Sequence, residues 1–127
     1  MNLADASGDL ELRSVGEVLL PRIRVADSFV LRSLGLMGRR GVPEAYGIGL
    51  FFPNCGTLHG FFMRFELEVW FLDAEGQPLE APKPLMPWGV AIGPQGACHC
   101  MEISPGSLSF PSTGGWEWKK ILSKSYS

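Results

Sequence analysis

Two groups of side chains in the sequence are of types that do chemistry. The first is Cys98-His99-Cys100 together with Cys55 and His59. Thiolates and imidazoles are preferred zinc ligands, so Cys55, His59, Cys98 and Cys100 form a candidate metal set. The spacing opposes it: on a strand Cys98 and Cys100 point to one face and His99 to the other. No Cys-x-x-Cys knuckle turns two thiolates onto one ion. The expectation is no metal and no cofactor, with the cysteines as small buried thiols in a β core. The enzyme version of the same residues is a nucleophilic Cys55–His59 pair, in which an imidazolium lowers the thiol pKa. Residues four apart lie ~13 Å along a regular strand, so the two meet only if residues 53–56 turn. The simpler role for His59 is donation to backbone.

The second group is Arg64, Glu68 and Glu102. Two carboxylates and a guanidinium on neighbouring strands can frame a polar cleft that binds a small ligand or does acid and base work, if environment separates the two pKa values. The ordinary role, a partly exposed ion pair contributing ~0–1 kcal/mol, is preferred here. Arg39-Arg40 follows a Gly-rich stretch, but no Gly-x-x-x-x-Gly-Lys phosphate loop is present. Phe51-Phe52, Phe61-Phe62, Trp70 and Trp88 read as core. Trp116-Glu117-Trp118-Lys119-Lys120-Ile121-Leu122 reads differently. Its two indoles and Ile-Leu pair stand beside lysines, the composition of an anchor that meets a partner.

These residues must be positioned by strands. Residues 10–14 and 18–25 are β-rich runs around a Val15-Gly16-Glu17 turn, with Pro21 weakening the second or placing it at an edge. Asp27 or Ser28 can cap a short helix over 27–34, ended by Gly35. A strand is expected over 48–52. From 58 to 73, His59, Phe61, Met63, Phe65, Leu67, Val69 and Phe71 alternate with a mixed set containing Arg64, Glu68 and Trp70, which is the period of a strand. By that parity His59 and Met63 face inward, while Arg64 and Glu68 share a polar side. A turn over 73–77, an irregular Pro-rich crossing over 81–88 and a strand over 97–103 follow.

Composition bounds the rest. A chain of 127 residues is the size of one domain, and 46% hydrophobic against 19% charged residues is globular, so a real core is expected. Sixteen Gly and ten Pro call for many turns, which suits short strands. The net charge of −2 includes an acidic middle that repels phosphate, excluding nucleic acid as the expected partner. No apolar run of ~18 residues offers a membrane span, and the first twelve residues lack a signal-like apolar region. Three cysteines cannot all pair within one chain, so reduced thiols and a cytoplasmic location are expected.

Four ordered pieces carry a resemblance. They are Gly35-Leu36-Met37-Gly38-Arg39; Cys55 with Leu58-His59-Gly60-Phe61-Phe62-Met63-Arg64-Phe65; Val69-Trp70-Phe71-Leu72-Asp73; and Gly96-Ala97 followed by Met101-Glu102. Together they resemble the domain-of-unknown-function 192 family. The resemblance implies a compact, mainly antiparallel, barrel-like β domain with one short helix, and no established activity. Where the family pattern commonly has Asp, this chain has Glu68. After Pro105-Gly106 it departs into Ser107-Leu108-Ser109-Phe110 and its own tail.

The expectation is a family-like β domain over 1–110 followed by a family-unlike tail over 111–127. The leading functional reading is a non-enzymatic binding or assembly module, an accessory subunit docking on a protein partner through Trp116, Trp118, Lys119, Lys120, Ile121 and Leu122. The alternative is a small-ligand binder or an enzyme using His59, Arg64, Glu68 and Glu102.

Overall fold

The structure, a computed structural model, describes residues 2–26, 49–59, 66–86, 88–111 and 114–121, with the side chain of His59 excepted. Alternation starts the fold. In β1 (Asp9–Ser14), Leu10 and Leu12 point inward and are fully buried, while Asp9, Glu11 and Arg13 point outward. Val15 and Gly16, both at positive φ, turn the chain tightly into β2 (Glu17–Val25). The β1–β2 register shifts on either side of Leu12, and Pro21 sits in that irregular stretch, where its missing N–H removes no regular ladder bond. Before β1, Leu3–Asp5 forms one 3-10 turn whose Leu3 enters the core.

The remaining strands are β3 (Gly49–Phe52), β4 (Thr57–His59), β5 (Leu67–Leu72), β6 (Lys83–Leu85), β7 (Val90–Ile92), β8 (His99–Ile103) and β9 (Glu117–Ile121). Among the described residues, seven of these nine strands form one sheet in the order β6-β5-β8-β3-β2-β1-β9; β4 and β7 pair separately. All pairings are antiparallel except β2 with β3. The expected fold class, mainly β, is therefore observed, although the large sheet is open rather than closed into a barrel. The helix expected over 27–34 lies outside the described residues.

The central strands are covered on both faces, which is why their sequences run apolar without strict alternation. β3 and β8 are buried throughout. One face carries Phe51, Trp70, Leu72, Met101 and Ile103 against Leu10, Leu12, Leu20 and Ile23. The other carries Leu50, Phe52, Leu67, Val69, Phe71 and Cys100, with Leu58 of β4 and Ala91 of β7 packed on them. The single strand expected over 58–73 is instead two. β4 belongs to the small sheet and β5 to the large one, so a face assignment cannot be carried from His59 to Glu68 by counting in twos.

Candidate functional site

On the second face Glu102 is the one buried carboxyl among the described residues, 4% exposed and directly opposite Leu50 on β3 and Val69 on β5. Burial in this apolar setting pushes its pKa up to about 8, and the nearby Cys55 adds to the rise. Glu102 is thus a neutral acid at physiological pH, a hydrogen-bond donor rather than a fixed charge.

The cysteines gather around this face. Cys55 and Cys98 are tied by a backbone bond, Cys55 N–H to Cys98 C=O at 3.0 Å. The Cys55 thiol donates to the Thr57 carbonyl at 3.1 Å, and the Cys98 thiol to that of Gly96 at 3.5 Å. Cys100 is fully buried between Phe52 and Phe71 in register. Among the described residues no three His, Cys, Asp or Glu side chains converge as metal ligands. The His59 side chain and all of Arg64 lie outside the described residues.

His99 lies on the opposite face. Its Nδ1 accepts the Asn54 N–H at 3.0 Å, and its ring lies 5.6 Å from that of Phe51. Desolvation lowers its pKa, against a backbone bond to Ala74 and the charge of Asp73, which both raise it. An acceptor Nδ1 and a second bond to backbone describe a neutral imidazole bracing two turns.

Glu68 shares that face and is separated from Glu102 by the sheet, since Glu68 pairs with Ile103 while Val69 pairs with Glu102. Its Oε2 accepts the Trp70 indole N–H at 2.9 Å and its Oε1 the Gly106 N–H at 3.3 Å. Glu68 and Glu102 do not frame a common cleft.

The tail residues are built into the fold. β9 pairs with β1 in unbroken register, from Asp9 with Ile121 to Arg13 with Glu117. Trp116 is 3% exposed and packs 5.0 Å from Trp70; Trp118 meets Phe51 edge-on at 5.0 Å. The clamp is the turn after β5. Asp73 Oδ1 accepts the Glu75 and Gln77 N–H groups, both at 2.9 Å. The Gln77 amide then pairs with the backbone of Trp116, donating to its C=O at 2.6 Å and accepting its N–H at 2.7 Å. Trp118 Nε1 donates to the Gly76 C=O at 2.8 Å. Of the two indoles proposed from sequence as partner anchors, Trp116 is therefore buried in the domain and Trp118 partly so. Lys119 and Lys120 are exposed, Ile121 is half-buried, and Leu122 lies outside the described residues.

A surface the sequence reading missed lies on the small sheet. Met86, Trp88, Val90 and Ile92 are 51%, 62%, 49% and 64% exposed, whereas Ala91 between the last two points into the core. Val90 and Ile92 share the outward face of β7, and Trp88 holds a positive φ of 66°. The alternation Val-Ala-Ile was the available signal, hidden because Val90 and Ile92 invite an inward assignment.

These features define a mainly β domain with one open seven-stranded sheet and a core on each face. The chain belongs to the domain-of-unknown-function 192 family, whose model, described as an uncharacterized ACR, matches residues 11–110. The matched span ends before β9. Relatives include a UPF0127 protein of Pyrococcus horikoshii, 32% identical over 63% of this chain and 70% of its own length, and one of Pyrococcus abyssi, 30% identical over 64% and 69%. A UPF0127 protein of Thermococcus sibiricus is 28% identical over 77% of this chain and 64% of its own. The fold is shared with a protein of unknown function from Novosphingobium aromaticivorans, at a TM-score of 0.64 and 14% identity, covering 88% of this chain and 84% of that one.

Proposed function

We propose that this chain is a non-enzymatic binding module, an accessory subunit that docks on a protein partner. The observation that carries this reading is the exposed strip of Met86, Trp88, Val90 and Ile92. Exposed apolar side chains are ordinary when scattered, but four large ones within seven residues, one of them Trp, are the composition of an interface centre. The tail contributes through β9, the outermost strand of the large sheet among the described residues. Its Lys119 and Lys120 offer positive charge beside an edge to which an extended acidic segment can add. The three cysteines are free thiols, which supports a reducing, cytoplasmic setting. No described helix is long and apolar enough to cross a membrane.

The test is native mass spectrometry of the protein recovered from its own cells, comparing the wild type with Trp88→Ser/Ile92→Ser and with Lys119→Glu/Lys120→Glu. All four side chains are exposed, so the variants are expected to fold. Loss of a stoichiometric partner from the first variant supports docking on the strip, and loss from the second supports the β9 edge. An unchanged assembly in both sinks the reading. The small-ligand or enzyme alternative retains one supporting observation, the neutral buried Glu102 beside Cys55.

A further inference from the structure

Cys55 and Cys98 come from distant parts of the sequence, and the fold sets them side by side. Cys55 lies in the turn between β3 and β4, and Cys98 at the entry to β8. The Cys55 N–H donates to the Cys98 C=O at 3.0 Å. A bond of that length keeps the two Cα atoms within ~7 Å of each other, and residues bonded in this way across a sheet stand ~5.5 Å apart. Disulfides span Cα separations of ~4.4–6.8 Å, so the backbone already holds the pair at bridging distance.

The neighbouring residues fix this spacing. The Gly93 N–H donates to the Gly56 C=O at 2.9 Å, and the Cys98 N–H to the Leu72 C=O at 2.8 Å, so one cysteine segment is tied to the end of β7 and the other to β5. A Cβ on Gly93 would stand 2.8 Å from the Ala97 Cβ and 3.0 Å from the Gly56 carbonyl oxygen, which leaves room for hydrogen alone where the segments meet. Cys55 and Ala97 both pack on the second core. The sulfurs are held less firmly than the backbone. The Cys55 thiol donates to the Thr57 C=O and the Cys98 thiol to the Gly96 C=O, and S–H is a weak donor, so rotating either sulfur about χ1 gives up little.

Access separates the three cysteines. Cys55 and Cys98 are partly exposed, whereas Cys100 is fully buried, so a small oxidant in solution reaches the first two and not the third. An odd count of cysteines therefore still leaves one pair able to cycle between thiol and disulfide. The structure holds both members as thiols.

We propose that Cys55 and Cys98 are a dithiol site that exchanges with small-molecule disulfides and closes to an intramolecular disulfide. One cysteine, as its thiolate, attacks a sulfur of the small disulfide; that S–S bond breaks, a mixed disulfide forms, and one small thiol leaves with a proton. The other cysteine, as its thiolate, attacks the protein sulfur of the mixed disulfide and expels the second small thiol, which takes the second proton. Two cysteine thiols are oxidised and one small disulfide is reduced to two thiols; an excess of small thiol runs the exchange backwards. The closed bond joins the turn before β4 to the start of β8, and so staples the small sheet to the large one. This site does not rest on the docking reading.

The probe is oxidised glutathione, added to the full-length reduced protein at a series of ratios to reduced glutathione. Remaining thiols are trapped with N-ethylmaleimide, and linkages are read by peptide mass spectrometry without reduction. The expected product is a monomer lighter by two hydrogens, with Cys55 linked to Cys98 and Cys100 alkylated only after unfolding. Because the fold holds the pair together, this link is expected to be half-formed at about a tenfold lower ratio than in concentrated urea. The oxidised protein is expected to melt several degrees higher than the reduced one, since the bond closes a long loop in the unfolded chain. Of Cys55→Ser and Cys98→Ser, both changes at partly exposed positions, at least one is expected to stall after the first step with one glutathione attached. A stable mixed disulfide as the main product of the wild type, links made through Cys100, no preference over the unfolded chain, or a lower melting temperature on oxidation would each overturn the proposal.

Discussion

Glu68 and Glu102 stand back to back through the large sheet, one register step apart on adjacent strands β5 and β8. One carboxyl is bonded to an indole and a backbone N–H, and the other is enclosed by apolar side chains and raised to about 8. Environments this different would suit an acid and a base if they shared a cavity. The sheet between them assigns the pair to structure on one face and to a neutral buried acid on the other.

Glu102 makes stability depend on pH. Its folded pKa lies above the ordinary 4.5, so between 4.5 and about 8 the unfolded chain releases a proton that the folded chain keeps. Stability is full below that window and falls through it, by at most about 1.4 kcal/mol per pH unit. Glu102→Gln removes the titration. Urea unfolding from pH 6.5 to 8 is expected to show a declining midpoint for the wild type and a flatter one for the variant. Equal slopes would place the carboxyl in a more polar setting than the one described.

His99 works in the opposite direction. Its pKa is lowered, so the unfolded chain takes up a proton first as pH falls below 6.5. Its stabilisation is complete above 6.5 and is lost toward acid. His99→Phe keeps an aromatic ring beside Phe51 but leaves the Asn54 N–H without its acceptor. The expected cost is about 2 kcal/mol at pH 7, with a shallower decline below pH 6.5 than the wild type shows. Denaturant titrations at pH 5, 6 and 7 check both.

How much of this was legible in the sequence depends on whether position or parity carried the information. The β1–β2 hairpin and the segments that became β3 and β8 followed from apolar runs and turn residues. Opposite facing of His99 and Cys100 followed from the period of two. Parity failed where it was extended from His59 to Glu68, because those residues sit in different sheets. What the tail packs against was not legible for another reason. Nothing local in Trp116-Glu117-Trp118 reveals that Gln77, 39 residues earlier, pairs with the Trp116 backbone. β6 and β7 were missed because each spans three residues, too short for periodicity to register.

Glu68 is a packing residue on this structure, and two substitutions separate its parts. Glu68→Ala leaves the Trp70 indole, in a fully buried side chain, without an acceptor, at an expected cost of about 1–3 kcal/mol. Glu68→Gln keeps a carbonyl oxygen in reach of that N–H, so it is expected to cost less than half as much. Urea midpoints at pH 7, followed by far-ultraviolet circular dichroism, distinguish them. Equal losses would mean that the charge rather than the acceptor matters.

The clamp on β9 predicts which change releases the tail. Gly76 sits at φ +83°, and a Cβ there would run into the Trp118 indole and the Leu3 side chain. Gly76→Ala therefore combines backbone strain with a collision against the group whose N–H bonds the Gly76 carbonyl. Gln77→Ala removes the amide that pairs with Trp116 while leaving the turn conformation permitted. Each is expected to cost about 2 kcal/mol or more, concentrated at one edge. Amide exchange should accelerate in β9 and its partner β1, while β5 and β8 keep their protection, because their ladder does not pass through the clamp. Uniform acceleration across all four strands would show instead that β9 unfolds only with the whole domain.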